Sequence, residues 1–278
     1  MKASTIFAKT MKFVWLKLGL GMATFLGSVV LMAILGGIAF AAQNSAVTYL
    51  LLLIWLLLVG VTVNIVNHYF GYMVKAGHVA IVTQAAITGE IPDDQFDAAK
   101  KMVSERFVTS NVYFLVNGLV NGAVHQLQRG VDAVDSMLGD VPGISTLLSV
   151  AKAFIGIALG YVDECCLGYT FYKKEQGACK SAADAVVIYF QNWKTLMKNA
   201  LILSIVVVAV TFVCWLVIML ALVGIVSSFN PIVGWIAVFL AFILAAVIKT
   251  AFVDSYIMVK MVVSFMEVAP TTEIEFNL

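Results

Sequence analysis

The chain has 278 residues, of which 62% are hydrophobic and 12% are charged, with 17 basic residues against 16 acidic ones. A soluble domain is about 45–50% apolar and about 25% charged. A fold of this length cannot hide so much apolar surface from water, so the composition excludes a soluble enzyme and indicates an integral membrane protein. The near-neutral charge balance argues against nucleic acid as a partner.

The sequence contains no pattern that is typical of a metal site or of an enzyme. Three of its four cysteines lie in or beside apolar runs and no two form a C-x-x-C pair, which argues against a disulfide framework and against zinc. The motifs H-E-x-x-H, G-x-x-x-x-G-K-[ST] and G-x-S-x-G are absent from the sequence. We therefore expect no metal, no cofactor and no enzymatic activity.

Six apolar runs predict an all-α, polytopic membrane helical bundle, since a spanning helix needs about 20 apolar residues. We treat residues 1–278 as a single transmembrane domain. The first run exceeds the about 7–15 apolar residues of a signal peptide, so we predict that it spans the membrane. The second is about 60 Å long as a helix, so we expect it to tilt strongly or to protrude. The predicted spans are 18–41, 47–87, 107–128, 144–171, 196–226 and 232–266.

The basic residues gather at one set of helix ends, which predicts that both termini are cytoplasmic. The opposite ends carry Arg129 and, slightly deeper, Lys152. The basic ends carry Lys2, Lys9, Lys12, Lys100, Lys101, Arg106, Lys173, Lys174, Lys180, Lys194 and Lys198.

Two amphipathic segments, 93–106 and 181–193, follow the second and the fourth predicted spans. We predict that each is an elbow helix lying along the cytoplasmic membrane surface. In the first, Pro92 precedes acids in the first turn and bases in the last turn, as a helix dipole prefers. In the second, Ser181 is the predicted N-cap, with Asp184 three residues later. The repeated order of long helix, elbow and helix hints at a duplicated unit, as in many transporters.

A polar stripe runs along the second predicted span, where Asn64, His68, Gly71, Lys75 and His78 recur at spacings of three or four. Ionisable groups at membrane depth are costly and indicate a function by default. The alternative is that Lys75 and His78 lie beyond the bilayer on the protruding part of the helix. Asn64 and His68 sit deeper, so they are the ligand-binding candidates of this stripe.

Adjacent acids, Asp163 and Glu164, follow about twenty largely apolar residues of the fourth predicted span. Either acid is a candidate to neutralise a cationic substrate or to relay a proton. The alternative is that the pair marks the point where the helix leaves the bilayer. Lys152 is predicted to share a face with Asp163, and Gly156-x-x-x-Gly160 predicts a close helix contact in the same region.

The last predicted span carries Lys249 and Asp254. Residues five apart on an α-helix point about 140° from one another, so we expect no pair between them. Asp254 is predicted to meet a basic residue of another helix or to cap a pore. The alternative is a Lys249 that snorkels to the interface and an Asp254 with a structural role.

Aromatic side chains are the natural partners of a choline-type ligand, which they hold through cation–π attraction. The alternative role for them is that of interfacial anchors. The available side chains are Trp55, Tyr69, Tyr72, Tyr161, Tyr169 and Trp235, and the sequence does not select a cage among them.

The stretch 178–185, Ala-Cys-Lys-Ser-Ala-Ala-Asp-Ala, followed by Asn192, resembles a signature of the choline transporter-like family. The family pattern reads F-C-x-S-A-x-D-A with an asparagine shortly after it. Residues 76–80, Ala-Gly-His-Val-Ala, resemble the family's A-G-x-x-A step, and residues 264–267, Ser-Phe-Met-Glu, resemble its terminal C-F-L-E. The positions that match are Gly77, Cys179, Ser181, Asp184 and Asn192.

This resemblance covers most of the chain but only the C-terminal half of a typical member. It implies a helical membrane protein that carries a small organic cation such as choline. Val259 and Lys260 stand where many members have an Asp-Thr pair, which puts the transport activity in doubt more than the helical architecture. From the resemblance and the intramembrane ionisable groups together, we expect the ligand-binding residues to be Trp55, Asn64, His68, Tyr161, Asp163, Glu164 and Asp254.

A second hypothesis is a non-transporting structural or assembly subunit of a larger membrane complex. Glycines spaced as in Gly118-x-x-x-Gly122 allow a neighbouring helix to approach closely. Under either hypothesis the partners are membrane lipids and either a second copy of the chain or another subunit, with a small cationic ligand under the first.

Overall fold

The computed structural model describes residues 1–107, 110–138, 160–227 and 231–274, which form helices and no strand. The all-α class is therefore confirmed. One π-helical turn, Asn67–Gly71, joins α3 to α4, and another, Lys249–Val253, joins α10 to α11, while a 3-10 turn covers Ala269–Thr271. The α-helices are α1 (Ala3–Lys9), α2 (Met11–Ala42), α3 (Ser45–Val66), α4 (Tyr72–Thr88), α5 (Gln95–Arg106), α6 (Ser110–Leu138), α7 (Val162–Tyr172), α8 (Ala178–Gln191), α9 (Trp193–Ser227), α10 (Pro231–Ile248) and α11 (Asp254–Val268).

Three helical stretches of the described residues are long and apolar enough to cross a membrane: Met11–Ala42, Ser45–Thr88 and Leu240–Thr271. A shorter apolar stretch covers Ala209–Leu222. The protein is accordingly an integral membrane protein. The second stretch has 44 residues, about 66 Å as a helix, which is more than one perpendicular crossing needs. A total of six spans stays a prediction, and so does a single transmembrane domain over residues 1–278.

Two tight turns use residues with positive φ. Gln43, at φ 47°, ends α2, and the Asn44 side chain then accepts the N–H of Ala46 at 2.9 Å as α3 begins. Gly89, at φ 75°, follows α4, and its N–H donates to the Ala85 carbonyl at 3.1 Å. Glycine is favoured at this second position because a residue with positive φ after a helix suffers a steric clash of its Cβ atom, and glycine has no Cβ atom.

The contacts within the chain define two compact units. Unit 1 comprises the described residues of Met1–Met11, Ala76–Val208 and Ser255–Leu278. Unit 2 comprises the described residues of Lys12–Lys75 and Ala209–Asp254. Several helices therefore contribute residues to both units.

The core of unit 1 forms where α7 packs against α4 and α11. A Cβ on Gly168 of α7 would lie 2.8 Å from Thr83 Oγ1 and 3.4 Å from side-chain atoms of Val262 and Met266, so these helices approach closely only because this residue is glycine. Three aromatic rings extend the core toward α8: the Phe265 ring centroid lies 6.2 Å from that of Tyr169 and 6.1 Å from that of Tyr189.

The N-terminal helix α1 is also part of the core of unit 1. Ile6 and Thr10 are fully buried, and the Phe7 ring meets the Tyr256 ring edge to face at 5.2 Å. The Thr10 hydroxyl donates to the Ile6 carbonyl at 2.9 Å, so its oxygen is left to accept the proton of His78 Nε2 at 3.0 Å. Gln95 of α5 donates to the carbonyl of Lys9 at 2.9 Å. His78 is therefore a hydrogen-bonded core residue.

Within unit 2, α2 packs against both α3 and α10. The Trp55 indole N–H donates to the Ser28 carbonyl at 3.0 Å, and both residues are buried. A Cβ on Gly21 would lie 2.6 Å from Val247 Cγ1, closer than real Cβ atoms come. The contact between α2 and α10 at this position therefore depends on Gly21 having no Cβ atom.

We predict that Gly21→Ala destabilises the protein by about 1–3 kcal/mol because the new methyl group overlaps Val247. Val247→Ala in the same chain should restore most of the loss, since it removes the atom that is overlapped. Gly19→Ala is the matched control, because its Cβ would meet no atom within 4 Å, and it should be neutral or slightly stabilising. Thermal unfolding of the wild type and these three variants in detergent measures this, and an unchanged melting temperature for Gly21→Ala would contradict the packing.

Candidate functional site

The acids Asp163 and Glu164 occupy the first turn of α7 in unit 1, after Tyr161, which flanks the helix start. The Asp163 Oδ1 atom accepts the Glu164 N–H at 3.0 Å, and the Tyr161 carbonyl accepts the Cys165 N–H at 3.2 Å. Carboxylates in a first turn are stabilised by the exposed N–H groups and the positive end of the helix dipole. All three predicted ligand residues of this segment therefore lie together. The two acids also stabilise α7, because they lie in its first turn.

A small pocket adjoins Asp163. Its volume of about 10 Å³ is close to what one water molecule requires. Its wall combines one carboxylate and one amide with three apolar side chains, so a cation entering it would meet oxygen atoms in a largely apolar surrounding. The lining residues are Val116, Asn117, Val120, Asp163 and Leu167.

Arg106, the last residue of α5, links the two predicted elbow helices of unit 1. Its Nη1 atom donates to the Gln176 carbonyl at 2.7 Å and lies 3.5 Å from the Lys174 carbonyl oxygen. Its Nη2 atom donates to the Ser181 hydroxyl at 2.9 Å. Burial lowers the pKa of the guanidinium, and Cys179 and Glu175 act in the opposite direction. An arginine stays protonated under these conditions, so the fork is charged and its hydrogen bonds are strong.

The predicted N-cap role of Ser181 is wrong. α8 begins at Ala178 with Gly177 as N-cap, and Ser181 lies inside the first turn, fully buried. Its hydroxyl accepts from Arg106 and donates to the Lys173 carbonyl at 3.4 Å. A serine near the start of a helix often acts as its N-cap. Here the hydroxyl oxygen of Ser181 instead accepts a hydrogen bond from Arg106, which lies 75 positions earlier in the sequence.

The remaining polar residues of the stretch that resembles the choline transporter-like pattern also make tertiary hydrogen bonds in unit 1. Asp184 Oδ2 accepts from Gln176 Nε2 at 2.7 Å. Asn192 Nδ2 donates to Thr272 Oγ1 at 3.0 Å, next to a bond of 3.2 Å from Gln191 Nε2 to the Glu273 carbonyl. These bonds connect the middle of α8 to the loop before it, and the C-terminal end of α8 to the segment that contains Thr272 and Glu273.

The other two signature positions differ in environment. Gly77 is buried in α4, whereas Cys179 is an exposed free thiol in the first turn of α8. The stretch 178–192 therefore contributes to the packing and hydrogen bonding of α8 in unit 1, and neither this stretch nor Gly77 lines the pocket beside Asp163.

Unit 2 holds the other predicted ligand residues. Trp55 is 4% exposed and its indole N–H is bonded to Ser28, so its polar atom has a structural partner. Asn64 is exposed and donates to the Gly60 carbonyl of its own helix at 3.1 Å. His68 lies in the first π-helical turn with its ring centroid 5.2 Å from that of Tyr69. The predicted residues are thus divided between unit 2 and the Asp163 segment of unit 1.

The expectation that Lys249 and Asp254 do not pair is wrong. Lys249 Nζ lies 2.9 Å from Asp254 Oδ1, and the Asp254 N–H donates to the Lys249 carbonyl. The prediction assumed an α-helix, but residues 249–253 form a π-helical turn. Hydrogen bonds from residue i to residue i+5 bring residues five apart onto one face, so the side-chain pair and the backbone bond join the same two residues.

Sequence reasoning missed two parts of this arrangement. Arg106 was assigned to a basic helix end rather than to a link between helices, and Gln176 was not considered. No local pattern identifies either role, because the partners are carbonyls of a loop whose path depends on the tertiary fold. The predicted contributions of Lys152 and Gly156 lie outside the described residues.

No protein-family model, no curated protein and no solved structure matches this chain. Among the residues that the structure describes, no group of three or more His, Cys, Asp or Glu side chains could hold a metal ion.

We predict that Arg106→Gln lowers the free energy of unfolding by about 1–3 kcal/mol, because the Gln176 carbonyl and the Ser181 hydroxyl lose a charged donor. Arg106→Lys should recover only part of this, since an ammonium cannot reproduce the planar fork. Lys101→Gln, on the same helix, removes an exposed pair with Glu105 at 3.9 Å and should change stability by no more than about 0.5 kcal/mol. Thermal unfolding in detergent compares the three, and equal effects of Arg106→Gln and Lys101→Gln would contradict the assigned role.

Proposed function

We propose that this integral membrane protein is a transporter-like protein that binds a small organic cation such as choline, with Asp163 as the principal anionic group. The observation that carries the proposal is that Asp163 lines a pocket with Asn117 and three apolar side chains within unit 1. The resemblance to choline transporter-like proteins supports the same class of ligand.

Electrostatics favours a cation at this place. A carboxylate with few competing water molecules attracts a cation more strongly than one in bulk solvent, because the interaction energy rises as the effective dielectric constant falls. The apolar side chains of Val116, Val120 and Leu167 suit the methyl groups of a quaternary ammonium ion. Since the pocket has room for about one water molecule, binding requires α6 and α7 to separate.

The architecture that we propose for this function has six spans, two cytoplasmic elbows and both termini in the cytoplasm. Helices α5 and α8 at the elbow positions support it, as does the gathering of basic residues at alternate helix ends. Many transporters are built from repeated helical units, and the repeated order of long helix, elbow and helix is consistent with such an origin.

We predict that Asp163→Asn weakens the binding of tetramethylammonium or choline on the order of tenfold or more, equivalent to about 1.4 kcal/mol. The substitution removes the negative charge at almost constant volume. Asp93→Asn, an exposed acid of the same unit, is the matched control and should bind as the wild type does. Calorimetry in detergent and flux into liposomes provide the measurements, with the melting temperature of each variant to verify folding.

If the wild type binds no quaternary ammonium ion at millimolar concentration, the carrier proposal fails whatever the variants do. Equal binding by Asp163→Asn and wild type would leave a carrier possible but would remove Asp163 from its site.

A specific observation favours the alternative, a subunit of a larger membrane complex. A Cβ on Gly118 or Gly122 of α6 would meet no atom within 4 Å among the described residues, and both glycines are exposed. Such a face accommodates a helix of another chain. Purification in mild detergent separates the two proposals, since a stoichiometric foreign subunit supports the complex and a homo-oligomer supports a self-sufficient carrier.

We predict the topology from single-cysteine labelling in intact cells, in a background without the four native cysteines. Labels placed in residues 43–46 and in residues 227–230 should react with an impermeant reagent from outside. Labels near Gln95 and Gln176, at the exposed Asp93 and Glu175, should react only after permeabilisation. Reaction of the Asp93 position from outside would contradict the six-span arrangement.

A further inference from the structure

The loop between α7 and α8, residues 173–181, is compact and carries three lysines. The Ser181 hydroxyl donates to the Lys173 carbonyl at 3.4 Å, and the Gln176 N–H donates to the same carbonyl at 3.3 Å, so the loop closes on itself. Arg106 donates to the Gln176 carbonyl and so fixes the loop from α5. The two ends of the loop are therefore held near each other. The lysines are Lys173, Lys174 and Lys180.

These lysines concentrate positive charge on one short loop. Lys174 and Lys180 are exposed, and the ammonium of Lys173 lies 5.3 Å from the centre of the Tyr172 ring. Among the described residues, no carboxylate lies within ion-pair distance of any of these three lysines. Glu175 is the only acid in residues 173–181. Because like charges within a Debye length, about 10 Å at 0.1 M salt, repel one another, an anionic partner would stabilise the loop.

Helix α8 continues this surface with a partly exposed apolar strip. One face of α8 is buried in the core of unit 1. Its outward side carries apolar residues at spacings of four and three, which place them in line with Lys180. We call them the outward strip of α8, and they are Ala183, Val187 and Phe190.

The far end of this strip has the composition of a membrane interface. Trp193, the first residue of α9, is 47% exposed, and the next residue, Lys194, is exposed as well. Tryptophan is enriched at the level of lipid headgroups because its ring is apolar and its N–H is polar. The outward strip therefore has a lysine near each end, with Lys180 at the start of α8 and Lys194 after it.

The two features together identify the kind of partner. Ammonium groups alone would attract any polyanion, and apolar side chains alone would suit any apolar surface. An apolar helical strip with basic residues at its ends fits the boundary between lipid headgroups and acyl chains. A lysine near an anionic leaflet contributes about 1 kcal/mol of attraction, and this attraction falls off within a Debye length.

We propose that the loop lysines and the outward strip of α8 form a docking surface for anionic phospholipids of the membrane that holds the protein. The strip contacts the outermost part of the acyl chains, and the lysines bind the anionic headgroups. Bound lipid neutralises the loop to which Arg106 donates. The stability of the link between α5 and α8 therefore depends on the anionic lipid content of the membrane.

This inference goes beyond the proposed function, because neither Asp163 nor any other residue that lines its pocket belongs to the surface. It rests on the proposed position of α8 along the membrane surface and not on the binding of an organic cation. The two fail separately, since Asp163 is unchanged in every variant below and no organic cation is used as a probe.

The test measures which lipids the full-length protein retains in a nonionic detergent. Wild type and variants are incubated with equal amounts of phosphatidylglycerol and phosphatidylcholine that have the same acyl chains, and native mass spectrometry gives the ratio of the two bound lipids. The variant Lys174→Gln/Lys180→Gln removes two exposed charges, and Lys174→Arg/Lys180→Arg keeps them. Lys2→Gln/Lys9→Gln is the matched control, because both lysines are exposed in unit 1 but lie outside the surface.

We expect wild type to prefer phosphatidylglycerol, and the glutamine variant to lower this preference about fivefold for each lysine removed, or about 1 kcal/mol each. The arginine variant and the control should keep the preference of wild type. In 1 M NaCl, where the Debye length is about 3 Å, wild type should lose most of its preference. The salt measurement needs no substitution, so it tests the proposal even if the glutamine variant does not fold.

Soluble anions separate a lipid surface from other anionic partners. Inorganic phosphate and a glutamate-rich peptide, each at the concentration of the lipid, should not displace phosphatidylglycerol, because neither offers acyl chains to the outward strip. Displacement by either would overturn the proposal in favour of a soluble anion or an acidic protein. The proposal also fails if wild type shows no preference between the two lipids, or if Lys2→Gln/Lys9→Gln loses as much preference as Lys174→Gln/Lys180→Gln.

Discussion

Peptide groups that enter hydrocarbon lose water as a hydrogen-bond partner, so each N–H and C=O must be satisfied by its own helix. The long helices of this chain meet that requirement directly. In the part of the chain that the structure describes, departures from the α-helix include two π-helical turns, Asn67–Gly71 and Lys249–Val253, and one 3-10 turn, Ala269–Thr271. One of these turns also brings opposite charges together, so the same local change satisfies the backbone and compensates a carboxylate.

Outside the apolar helices, the side chain of Arg106 supplies hydrogen bonds to groups that no helix satisfies. The loop after α7 contains carbonyl groups that its helix cannot satisfy, as at any helix C-terminus. Arg106 reaches this loop from α5 and donates to the Gln176 carbonyl and to the Ser181 hydroxyl, while Gln176 in turn donates to Asp184. In the stretch 178–185, Ser181 and Asp184 therefore act as hydrogen-bond acceptors for Arg106 and Gln176. This structural role neither requires nor excludes a ligand.

Hydropathy was sufficient to predict the all-α membrane class. Long apolar runs can be recognised from composition alone, and a chain segment that crosses the hydrocarbon must form a helix unless it belongs to a closed barrel. Roles that depend on distant partners were not predictable. Ser181 has the local pattern of an N-cap, yet the cation that binds it is Arg106. The sequence prediction assumed a rotation of about 100° per residue, which places Lys249 and Asp254 on different faces of an α-helix. The π-helical turn instead brings the two side chains together. Tyr161, Asp163 and Glu164 lie together because they are near one another in the sequence, whereas the share of Asn117 in the pocket follows from the packing of α6 on α7.

The position of α1 has a consequence for biosynthesis. Phe7 of α1 contacts Tyr256 of α11, so α1 packs against a helix that the ribosome completes much later. At about 5–20 residues per second, synthesis of the intervening chain takes on the order of 10–50 s. During that interval Ile6, fully buried in the finished protein, has no completed core to enter. The contact between α1 and α11 therefore forms only after α11 has been synthesised, so unit 1 cannot be complete before that.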